Sequence, residues 1–264
     1  MPLTDRQQRE LAYHAEHAKH HEPYIEFDVV SSPKRRWWNA YWDTWTQLVR
    51  MQLRSKRVLV VGCGDGGDAI YFAYAGARVE AFDLSPDMLA IARHTASEHG
   101  LNIGFSEAPA ESMPYGDGSF DLIYVRDILH HVDIPATMAE IVRVSKPGAT
   151  LVLNEIYSHS ITNKIRYSWL VDKALYRLMR QFVYGTDKPY ITEDERKMSE
   201  KDIAIVRSHM LSQQSKYFNF IVTRVVPDSI PLLSKCDRIL LWVFGGLGRY
   251  LAGRIVMIGP VKPI

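Results

Sequence analysis

The 264-residue chain contains only two cysteines, Cys63 and Cys236, which lie far apart in unlike contexts. Two distant cysteines cannot build a disulfide framework or a cysteine-based metal site, so a reducing, cytoplasmic location is expected. Charge of one sign is not in excess either, since the formal net charge at pH 7 is only +2. This balance gives no reason to expect binding to a phosphate backbone, and no nucleic-acid partner is predicted.

The sequence has no long uninterrupted apolar run. Its first segment, MPLTDRQQRELAYHAEHAKHHE, is polar throughout and lacks the apolar core of a secretory signal. The most apolar stretch, residues 239–258, is interrupted by Arg249, Arg254 and several glycines, which favours a helix followed by a strand. A transmembrane segment is therefore not expected.

Apolar strand-like segments alternate with helical patterns over the central part of the chain. The strand-like segments are residues 57–62, 77–83, 102–107, 120–125 and 149–155. Strands separated by helices predict a parallel sheet with helices on both faces. Further along the chain, the pattern predicts a strand near 217–226, an apolar helix around 230–252 and a final strand at 254–259. We expect a doubly wound, mostly parallel, seven-stranded α/β sheet.

The same patterns divide the chain into four segments. Residues 1–54 are expected to be helical, and residues 55–156 to form the core of alternating strands and helices. Residues 157–213 contain little strand character and are interpreted as a helical cap inserted after strand five. Residues 214–264 are expected to complete the sheet.

Two segments outside the core carry aromatic and apolar side chains at helical spacing. Trp37, Trp38, Tyr41, Trp42 and Trp45 are expected to share one helix face that packs on the sheet, the alternative being an aromatic wall for a flat acceptor. The insert helix, residues 165–184, mixes apolar and basic side chains. That composition permits an amphipathic helix against a membrane surface, so a peripheral contact with a membrane is one interpretation.

A glycine-rich turn follows the first strand in VLVVGCGDGGDAIYFA (58–73). Gly62, Gly64 and Gly67 have the spacing of the dinucleotide-binding fingerprint, and Asp83 follows about twenty residues later. A carboxylate at that position can accept hydrogen bonds from both hydroxyls of an adenosine ribose. Its other interpretation, as the N-cap of the next helix, suits Ser85 better. NAD and S-adenosylmethionine fit this pattern equally, so a nicotinamide-dependent oxidoreductase remains an alternative.

Two downstream segments carry a family resemblance, AESMPYGDGSFDLIYVRDILHHV (110–132) and VRVSKPGATLVLNE (142–155). With them, residues 55–156 resemble the class I S-adenosylmethionine-dependent methyltransferases, in the branch that includes quinone-biosynthesis, sterol, sugar and natural-product O-methyltransferases. The resemblance implies a Rossmann-like methyltransferase fold and S-adenosylmethionine as cofactor. It also implies methylation, at a hydroxyl oxygen, of a small-molecule or lipid-like acceptor. A non-enzymatic scaffold that binds the cofactor is a further alternative.

The same resemblance implies roles for three of the four segments. Residues 1–54 are expected to cover the cofactor site, residues 55–156 to bind the cofactor, and the cap, residues 157–213, to bind the acceptor. The insert helix is accordingly interpreted as a lid over the active site.

The resemblance also implies which residues hold the cofactor. In that family the glycine turn holds the methionine portion, the acid after strand two holds the ribose, and a small-acidic pair after strand three lies beside the adenine. The corresponding cofactor-binding residues are Gly62, Cys63, Gly64, Gly66, Asp83, Leu84, Ala110, Glu111 and Arg126. Arg126 departs from the small or polar residue that is common at its position.

Histidines at two places are candidates for chemistry. In similar O-methyltransferases a histidine in an LHH motif and an acid after strand five have base-type roles, which implies His130 and Glu155 as catalytic residues. The alternative is that the histidine packs under the cofactor or bonds a backbone carbonyl. The second place is the N-terminal helix, where four histidines share a face: His14, His17, His20 and His21. No acid or cysteine completes a metal site there, so no metal is expected and the helix is interpreted as solvated, with Tyr13 or His14 as a contact to cofactor or acceptor.

Overall fold

The computed structural model describes residues 3–166, 196–221 and 230–263. These residues contain the predicted seven-stranded sheet, with strand order β3-β2-β1-β4-β5-β7-β6. The strands are β1 Arg57–Val61, β2 Arg78–Asp83, β3 Ile103–Glu107, β4 Phe120–Arg126, β5 Ser145–Ile156, β6 Gln214–Phe218 and β7 Arg254–Pro260.

The strand pairings place a switch point in the middle of the sheet. β1 pairs in parallel with both β2 and β4, while β3 and β5 extend the parallel sheet on either side. β7 runs antiparallel to both β5 and β6. The chain thus moves outward from β1 to β3 and returns to place β4 beside β1, which is where ligands bind in open α/β sheets. The predicted doubly wound, mostly parallel fold is confirmed.

The central strands are buried on both faces because successive side chains point to opposite sides of the sheet. Val60 belongs to a buried cluster with Trp45 on one face. Its neighbour Val61 belongs to a second cluster with Met138 on the other face. This explains why β1 is a continuous apolar run in the sequence rather than an alternating one.

Helices cover both faces of the sheet. They are α1 Asp5–Ala18, α2 Asp28–Ser31, α3 Ala40–Leu48, α4 Gly67–Tyr74, α5 Pro86–Glu98, α6 Ile134–Val144, α7 Ser160–Arg166, α8 Glu200–Ser208, α9 Pro231–Val243 and α10 Gly248–Leu251. Several begin at a residue whose side chain accepts a hydrogen bond from the first turn, namely Thr4, Asn39, Ser85, Asp133 and Ser199. Such caps satisfy backbone N–H groups that have no partner within the helix.

The aromatic residues before β1 do not all share one helix face. Oδ1 of Asn39 accepts hydrogen bonds from the backbone N–H groups of Tyr41 and Trp42, so α3 begins only at Ala40. Trp42 and Trp45 are buried against the sheet, whereas Trp37 lies before the helix and is 47% exposed. The prediction was therefore right for the residues within α3 and wrong for Trp37 and Trp38, which both precede the helix.

The C-terminal part of the chain differs from the prediction in two places. Strand β6 covers Gln214–Phe218, earlier than the predicted 217–226, of which residues 222–226 lie outside the described residues. The predicted helix at 230–252 is interrupted, because α9 ends at Val243 and Gly245 takes a left-handed conformation with φ 50°. A glycine adopts that conformation without the steric penalty of a side chain.

About half of the proposed cap, residues 167–195, lies outside the described residues, and this part contains most of the insert helix. Of the part that is described, α8 packs on the sheet, with Ile203 and Val206 buried in the same cluster as α6. α8 therefore belongs to the helical layer of the sheet rather than to a cap. No described helix is both long and apolar enough to cross a bilayer.

Candidate active site

A cavity of about 520 Å³ lies at the carboxyl ends of β1, β2 and β4, at the switch point of the sheet. Most of the residues expected to bind the cofactor line it, namely Gly62, Cys63, Gly64, Asp83, Leu84, Ala110, Glu111 and Arg126. Among the two candidate catalytic residues, His130 lines the cavity and Glu155 lies behind it. The fold thus brings the sequence motifs together although they are spread over a hundred residues.

Positions 62 and 66, in the turn after β1, each require a glycine, but for different structural reasons. Gly62 has φ 62°, and a Cβ atom there would lie 2.6 Å from Cγ1 of Ile128. Gly66, with φ 84°, begins α4, and its Cβ would lie 2.7 Å from Cβ of Ala92 on α5. Gly66 is not in the cavity lining, so its position is explained by the packing of α4 against α5 rather than by a cofactor contact.

The carboxylate of Asp83 is fixed by two backbone groups. The N–H of Gly64 donates to Oδ2 at 2.8 Å and the N–H of Ser85 donates to Oδ1 at 2.9 Å. Ser85 itself caps α5 by accepting a hydrogen bond from Met88, as the sequence indicated. Since each carboxylate oxygen has two lone pairs, both oxygens of Asp83 can still accept a hydroxyl hydrogen bond from the cavity.

The thiol of Cys63 is a small, neutral part of the lining. Burial raises the pKa of the Cys63 thiol well above its ordinary value, and the nearby carboxylates of Asp83 and Asp65 raise it further. Because the thiolate is the reactive form of cysteine, Cys63 is unsuited to act as a nucleophile.

Glu111 joins three elements at the edge of the cavity. Its Oε1 atom accepts a hydrogen bond of 3.0 Å from the N–H of Asp133, and its Oε2 atom accepts one of 3.2 Å from Nε2 of Gln7. The adjacent Ala110 is buried. Ala110 and Glu111 therefore combine a small apolar side chain with a hydrogen-bond acceptor whose orientation is fixed by α1 and by the start of α6.

The side chain of Arg126 is held on the wall of the cavity by two helices. Its Nε atom donates to Oδ2 of the buried Asp68 at 2.6 Å, and its guanidinium carbon lies 5.1 Å from the ring centroid of Tyr41. The hydroxyl of Tyr41 donates to Oδ1 of Asp68 at 2.8 Å. Arg126 thus neutralises a carboxylate that would be costly to bury alone, which accounts for a large cation at a position where small residues are common.

His130 and Glu155 form a buried pair. The Oε1 atom of Glu155 accepts hydrogen bonds of 2.7 Å from the N–H groups of both Ile128 and Leu129, which fixes the short 3-10 turn Leu129–His131. Because a carboxylate oxygen only accepts, His130 carries a proton on Nδ1 in this pair, and in the neutral ring Nε2 is then an acceptor. Glu155 therefore orients the ring, and His130 is the member of the pair that reaches the cavity.

Within the described residues, one cluster has the composition of a metal site: Asp127, His130 and Glu155 offer ligand atoms within 4.8 Å of one another. These atoms already have other partners, because Glu155 is bonded by backbone N–H groups and Nη1 of Arg254 lies 2.9 Å from Oδ1 of Asp127. Although burial raises the pKa of Asp127, the charges of Arg254 and Arg126 lower it below its ordinary value. The two guanidinium groups take the role that a cation would have there.

Helix α1 forms a wall of the cavity, although its polar sequence is interpreted as that of a solvated helix. The resemblance leads us to expect residues 1–54 over a cofactor site, with Tyr13 or His14 as a contact. Gln7, Glu10, Leu11 and His14 line the cavity, and they have the i, i+3, i+4, i+7 spacing of one helix face. That spacing was the sequence signal that these residues share one surface. Three of the four side chains are polar, however, and a polar helix face is typical of contact with solvent. Tyr13, the other residue considered for this role, is not in the lining.

Polar contacts fasten α1 and the segment after it to three loops. Nη2 of Arg6 donates to the carbonyl of His130 at 2.5 Å, and Oε1 of Glu10 lies 3.0 Å from Nδ1 of His131. Further along the chain, Nε2 of His21 lies 2.8 Å from Oδ2 of Asp65 in the glycine turn. Together with the bond between Gln7 and Glu111, these contacts keep the wall closed.

Comparison with known proteins places this site in a family. Residues 59–153 match the family described as "Methyltransferase domain". The chain is 32% identical over 147 residues to a ubiquinone biosynthesis O-methyltransferase of Methylococcus capsulatus, covering 50% of this chain and 61% of that protein. The domain belongs to the class I S-adenosylmethionine-dependent methyltransferases. The cofactor of this family is S-adenosylmethionine, as the resemblance implied, and the nicotinamide alternative gains no support.

A second relative of the methyltransferase domain is also a methyltransferase by name. It is the phthiotriol/phenolphthiotriol dimycocerosates methyltransferase of Mycobacterium leprae, 31% identical over 159 residues, with 59% of this chain and 56% of that protein covered. The chain therefore spans less than two thirds of the length of these curated relatives.

Alignment with solved structures extends beyond the methyltransferase domain. One is the geranyl diphosphate C-methyltransferase of Streptomyces coelicolor, in complex with Mg²⁺, geranyl diphosphate and S-adenosyl-L-homocysteine. It matches 100% of both chains with a TM-score of 0.61 and 12% identity, which establishes a common fold.

Proposed function

We propose that this protein transfers a methyl group from S-adenosylmethionine to a hydroxyl oxygen of a small-molecule or lipid-like acceptor. The observation that carries the proposal is the carboxylate of Asp83, held at the cavity beside the glycine turn of a methyltransferase domain. The cavity, about 520 Å³, falls within the range of roughly 300–1,000 Å³ that is common for small-molecule sites.

The lining offers a complementary group for each part of the cofactor. The free lone pairs of Asp83 suit the two ribose hydroxyls. Ala110 and Glu111 suit an adenine, since they offer apolar contact beside a fixed acceptor. The turn at Gly62 and Gly64, which lacks side chains, allows close approach of the methionine portion.

Methyl transfer makes few chemical demands on the protein, because the bound sulfonium supplies an activated methyl group. The protein must hold the acceptor oxygen in line with the methyl carbon, and such positioning accounts for on the order of 7–11 kcal/mol of barrier reduction. A cavity between rigid strand ends and the fastened helix α1 supports this role.

His130 is proposed as the general base. Its Nε2 atom accepts the proton that the acceptor hydroxyl loses as the oxygen–methyl bond forms, while Glu155 holds Nδ1–H and stabilises the imidazolium that results. Glu155 thus acts through His130, as a positioning residue. The pair supports a hydroxyl acceptor, since an amine that already has a free lone pair needs no base for the methylation itself. The names of the two relatives, a ubiquinone biosynthesis O-methyltransferase and a phthiotriol/phenolphthiotriol dimycocerosates methyltransferase, support the same acceptor class.

Calorimetric titration with S-adenosylhomocysteine tests cofactor binding. Asp83→Ala should weaken the affinity at least about tenfold, because two hydrogen bonds to a charged group are lost. Asp87→Ala is the matched control, since Asp87 is exposed on the first turn of α5 and should leave the affinity unchanged. Undiminished affinity of Asp83→Ala would contradict the proposal.

Turnover is tested with cell extracts and cofactor that carries a labelled methyl group. Mass spectrometry should detect a labelled product whose acceptor bears a hydroxyl group. A protein that binds S-adenosylhomocysteine but labels nothing in a broad acceptor screen would be a scaffold, and a label found only on nitrogen or carbon would contradict the oxygen assignment.

A further inference from the structure

Helix α9 has its apolar side chains on the outside. Trp242 is 77% exposed, Leu232 is 70% exposed and Val243 is 66% exposed. The outward side also includes Leu233, Ile239 and Leu240. The buried side chains are Ser234, Asp237 and Leu241, two of which are polar. The usual arrangement of a surface helix is therefore reversed.

The helical spacing makes this outer face continuous. Residues 232, 236, 239, 240 and 243 follow the i, i+4, i+7, i+8, i+11 pattern of one face, and the buried residues 234, 237 and 241 lie on the opposite one. Exposed Phe244 and Leu247 extend the apolar surface beyond the end of α9. A contiguous exposed patch of this kind marks an interaction surface.

The segment that forms the patch is mostly basic in its charged residues. Between residues 230 and 253 the bases are Lys235, Arg238 and Arg249, and the sole acid is Asp237. Asp237 is buried, and its oxygens accept hydrogen bonds from the backbone N–H groups of Phe220 and Ile221. The outer surface of this segment therefore presents apolar side chains and positive charge, with no exposed carboxylate of its own.

We propose that the surface formed by α9 and the turn after it, residues 232–247, docks on a lipid bilayer that contains anionic lipids. An exposed tryptophan, an aliphatic face and a basic rim are the features by which an amphipathic helix lies in the interface of such a membrane. Lys235 lies at the edge of the face with its ammonium group over the ring of Trp38, and Arg249 is exposed beyond the end of α9, from where both charges can reach lipid headgroups. Arg238 faces inward, over the buried ring of Phe218.

The basic residues at the edge of this surface also argue against a second copy of the chain as the partner that binds it. In a two-fold dimer through this face, each subunit would present the same patch, so the bases of both rims would approach one another. Like charges brought together at the edge of an interface oppose association, whereas anionic headgroups attract the same bases.

The inner side of α9 connects this surface to the active site. Ser234 and Asp237 line a second cavity of about 200 Å³. Arg126, Asp127 and Arg254 line both this cavity and the larger one. A docked α9 would thus hold the membrane one helix diameter from the active site, in reach of a lipid-like acceptor. Only this last step depends on the proposed function.

Flotation of the full-length protein with vesicles tests the docking. The protein should float with vesicles of phosphatidylglycerol and phosphatidylcholine in equal parts, more weakly with phosphatidylcholine alone, and less at high salt. Leu232→Glu and Trp242→Glu should each lower the partition coefficient at least about tenfold, since an apolar contact is replaced by a charge that anionic lipids repel. Leu211→Glu is the matched control, because Leu211 is 62% exposed away from α9 and should leave partition unchanged.

A thiol-reactive, environment-sensitive dye gives a second readout. Cys236 is exposed on the outer face of α9, while Cys63 is buried, so the dye should react with Cys236 alone. Its emission should shift to shorter wavelength when anionic vesicles are added. Lys235→Gln together with Arg249→Gln should weaken partition into anionic vesicles and leave the weak partition into phosphatidylcholine unchanged.

Three results would overturn the proposal. The first is a wild-type protein that stays unbound with anionic vesicles at low salt, and the second is equal partition of Trp242→Glu and the wild type. The third is a concentration-dependent dimer in sedimentation that Trp242→Glu abolishes, which would assign the face to a second copy. Vesicle binding needs neither cofactor nor turnover, so titration with S-adenosylhomocysteine reports separately on the proposed function and on the folding of each variant.

Discussion

The Nδ1 atom of His130 lies 2.8 Å from the Oε2 atom of Glu155, and both side chains are buried. The second oxygen of Glu155 accepts two backbone hydrogen bonds from the turn that carries His130. The acid thus fixes both the backbone and the ring of the histidine, and separate substitutions should separate the chemical role from the positioning role.

His130→Asn should lower the rate of methyl transfer in a single turnover by about 10²–10⁴, the usual contribution of a general base. Glu155→Gln should lower it less and move the pH at which the rate rises, because a neutral amide stabilises the imidazolium less well than a carboxylate. Stopped assays with labelled cofactor and the identified acceptor measure both effects. His94→Asn, an exposed site on α5, is the control. A wild-type rate in His130→Asn would leave the histidine with a packing role only.

Gly62→Ala should destabilise the protein by more than Gly100→Ala does. Both glycines have a left-handed backbone, with φ 62° and 63°, but the new Cβ would lie 2.6 Å from Ile128 only at position 62, while nothing lies within 4 Å of it at position 100. The common backbone penalty is roughly 1–2 kcal/mol, and overpacking adds about 1–3 kcal/mol. Denaturant unfolding measures the difference, and equal losses would show that contact with Ile128 is not what requires a glycine.

Glu10→Ala should loosen α1. Glu10 is buried and lies 3.0 Å from His131, so its removal leaves a partly buried histidine without that partner, at a cost of about 1–3 kcal/mol. Hydrogen exchange of α1 should become faster, and S-adenosylhomocysteine should dissociate faster in stopped-flow measurements. Glu16→Ala breaks only an exposed pair with Lys19 and should change neither rate. If both variants behave alike, the contact with His131 does not fasten the wall.

The closure of α1 should weaken below neutral pH. Burial lowers the pKa of His14 beneath its ordinary value of 6.5, and this outweighs the opposing carboxylates of Asp83 and Glu10. The open or unfolded state therefore binds the proton more tightly than the closed state does. The stability of closure is fully present above about pH 6.5 and is lost as the pH falls through the lowered pKa. The pKa of His17 is lowered as well, mainly by burial and next by the charge of His21.

Hydrogen exchange of α1 between about pH 7.5 and 5.5, corrected for the intrinsic exchange rate, measures this effect. Protection should be constant in the upper part of the range and fall in the lower part. His14→Asn should make the decrease shallower, since an amide does not titrate there. A decrease of equal slope in the variant would assign the pH dependence to other groups.

The parallel core was predictable because its strands are buried on both faces and therefore appear as apolar runs between helices. β1 to β5 were recognised in this way, and the Asp83 and Ser85 positions followed from the turn chemistry after β2. α9 was expected as an apolar helix, but its orientation was not predictable. Periodicity identifies two faces of a helix and leaves open which one points inward, and here the polar face is the buried one.

The α1 wall was beyond the reach of local patterns for another reason. Its contacts join residues that are more than a hundred positions apart, such as Gln7 with Glu111 and Glu10 with His131. Polar side chains that line a cavity have the same composition as side chains in water. Only the packing of α1 at the carboxyl edge of the sheet distinguishes the two.

The fastening of α1 has a consequence for how the cavity fills and empties. The polar contacts of this helix and of the segment after it reach the turn after β4, the loop after β3 and the glycine turn after β1. A molecule that enters or leaves past α1 breaks several of these contacts together, so exchange by this route should be slower than diffusion to the cavity.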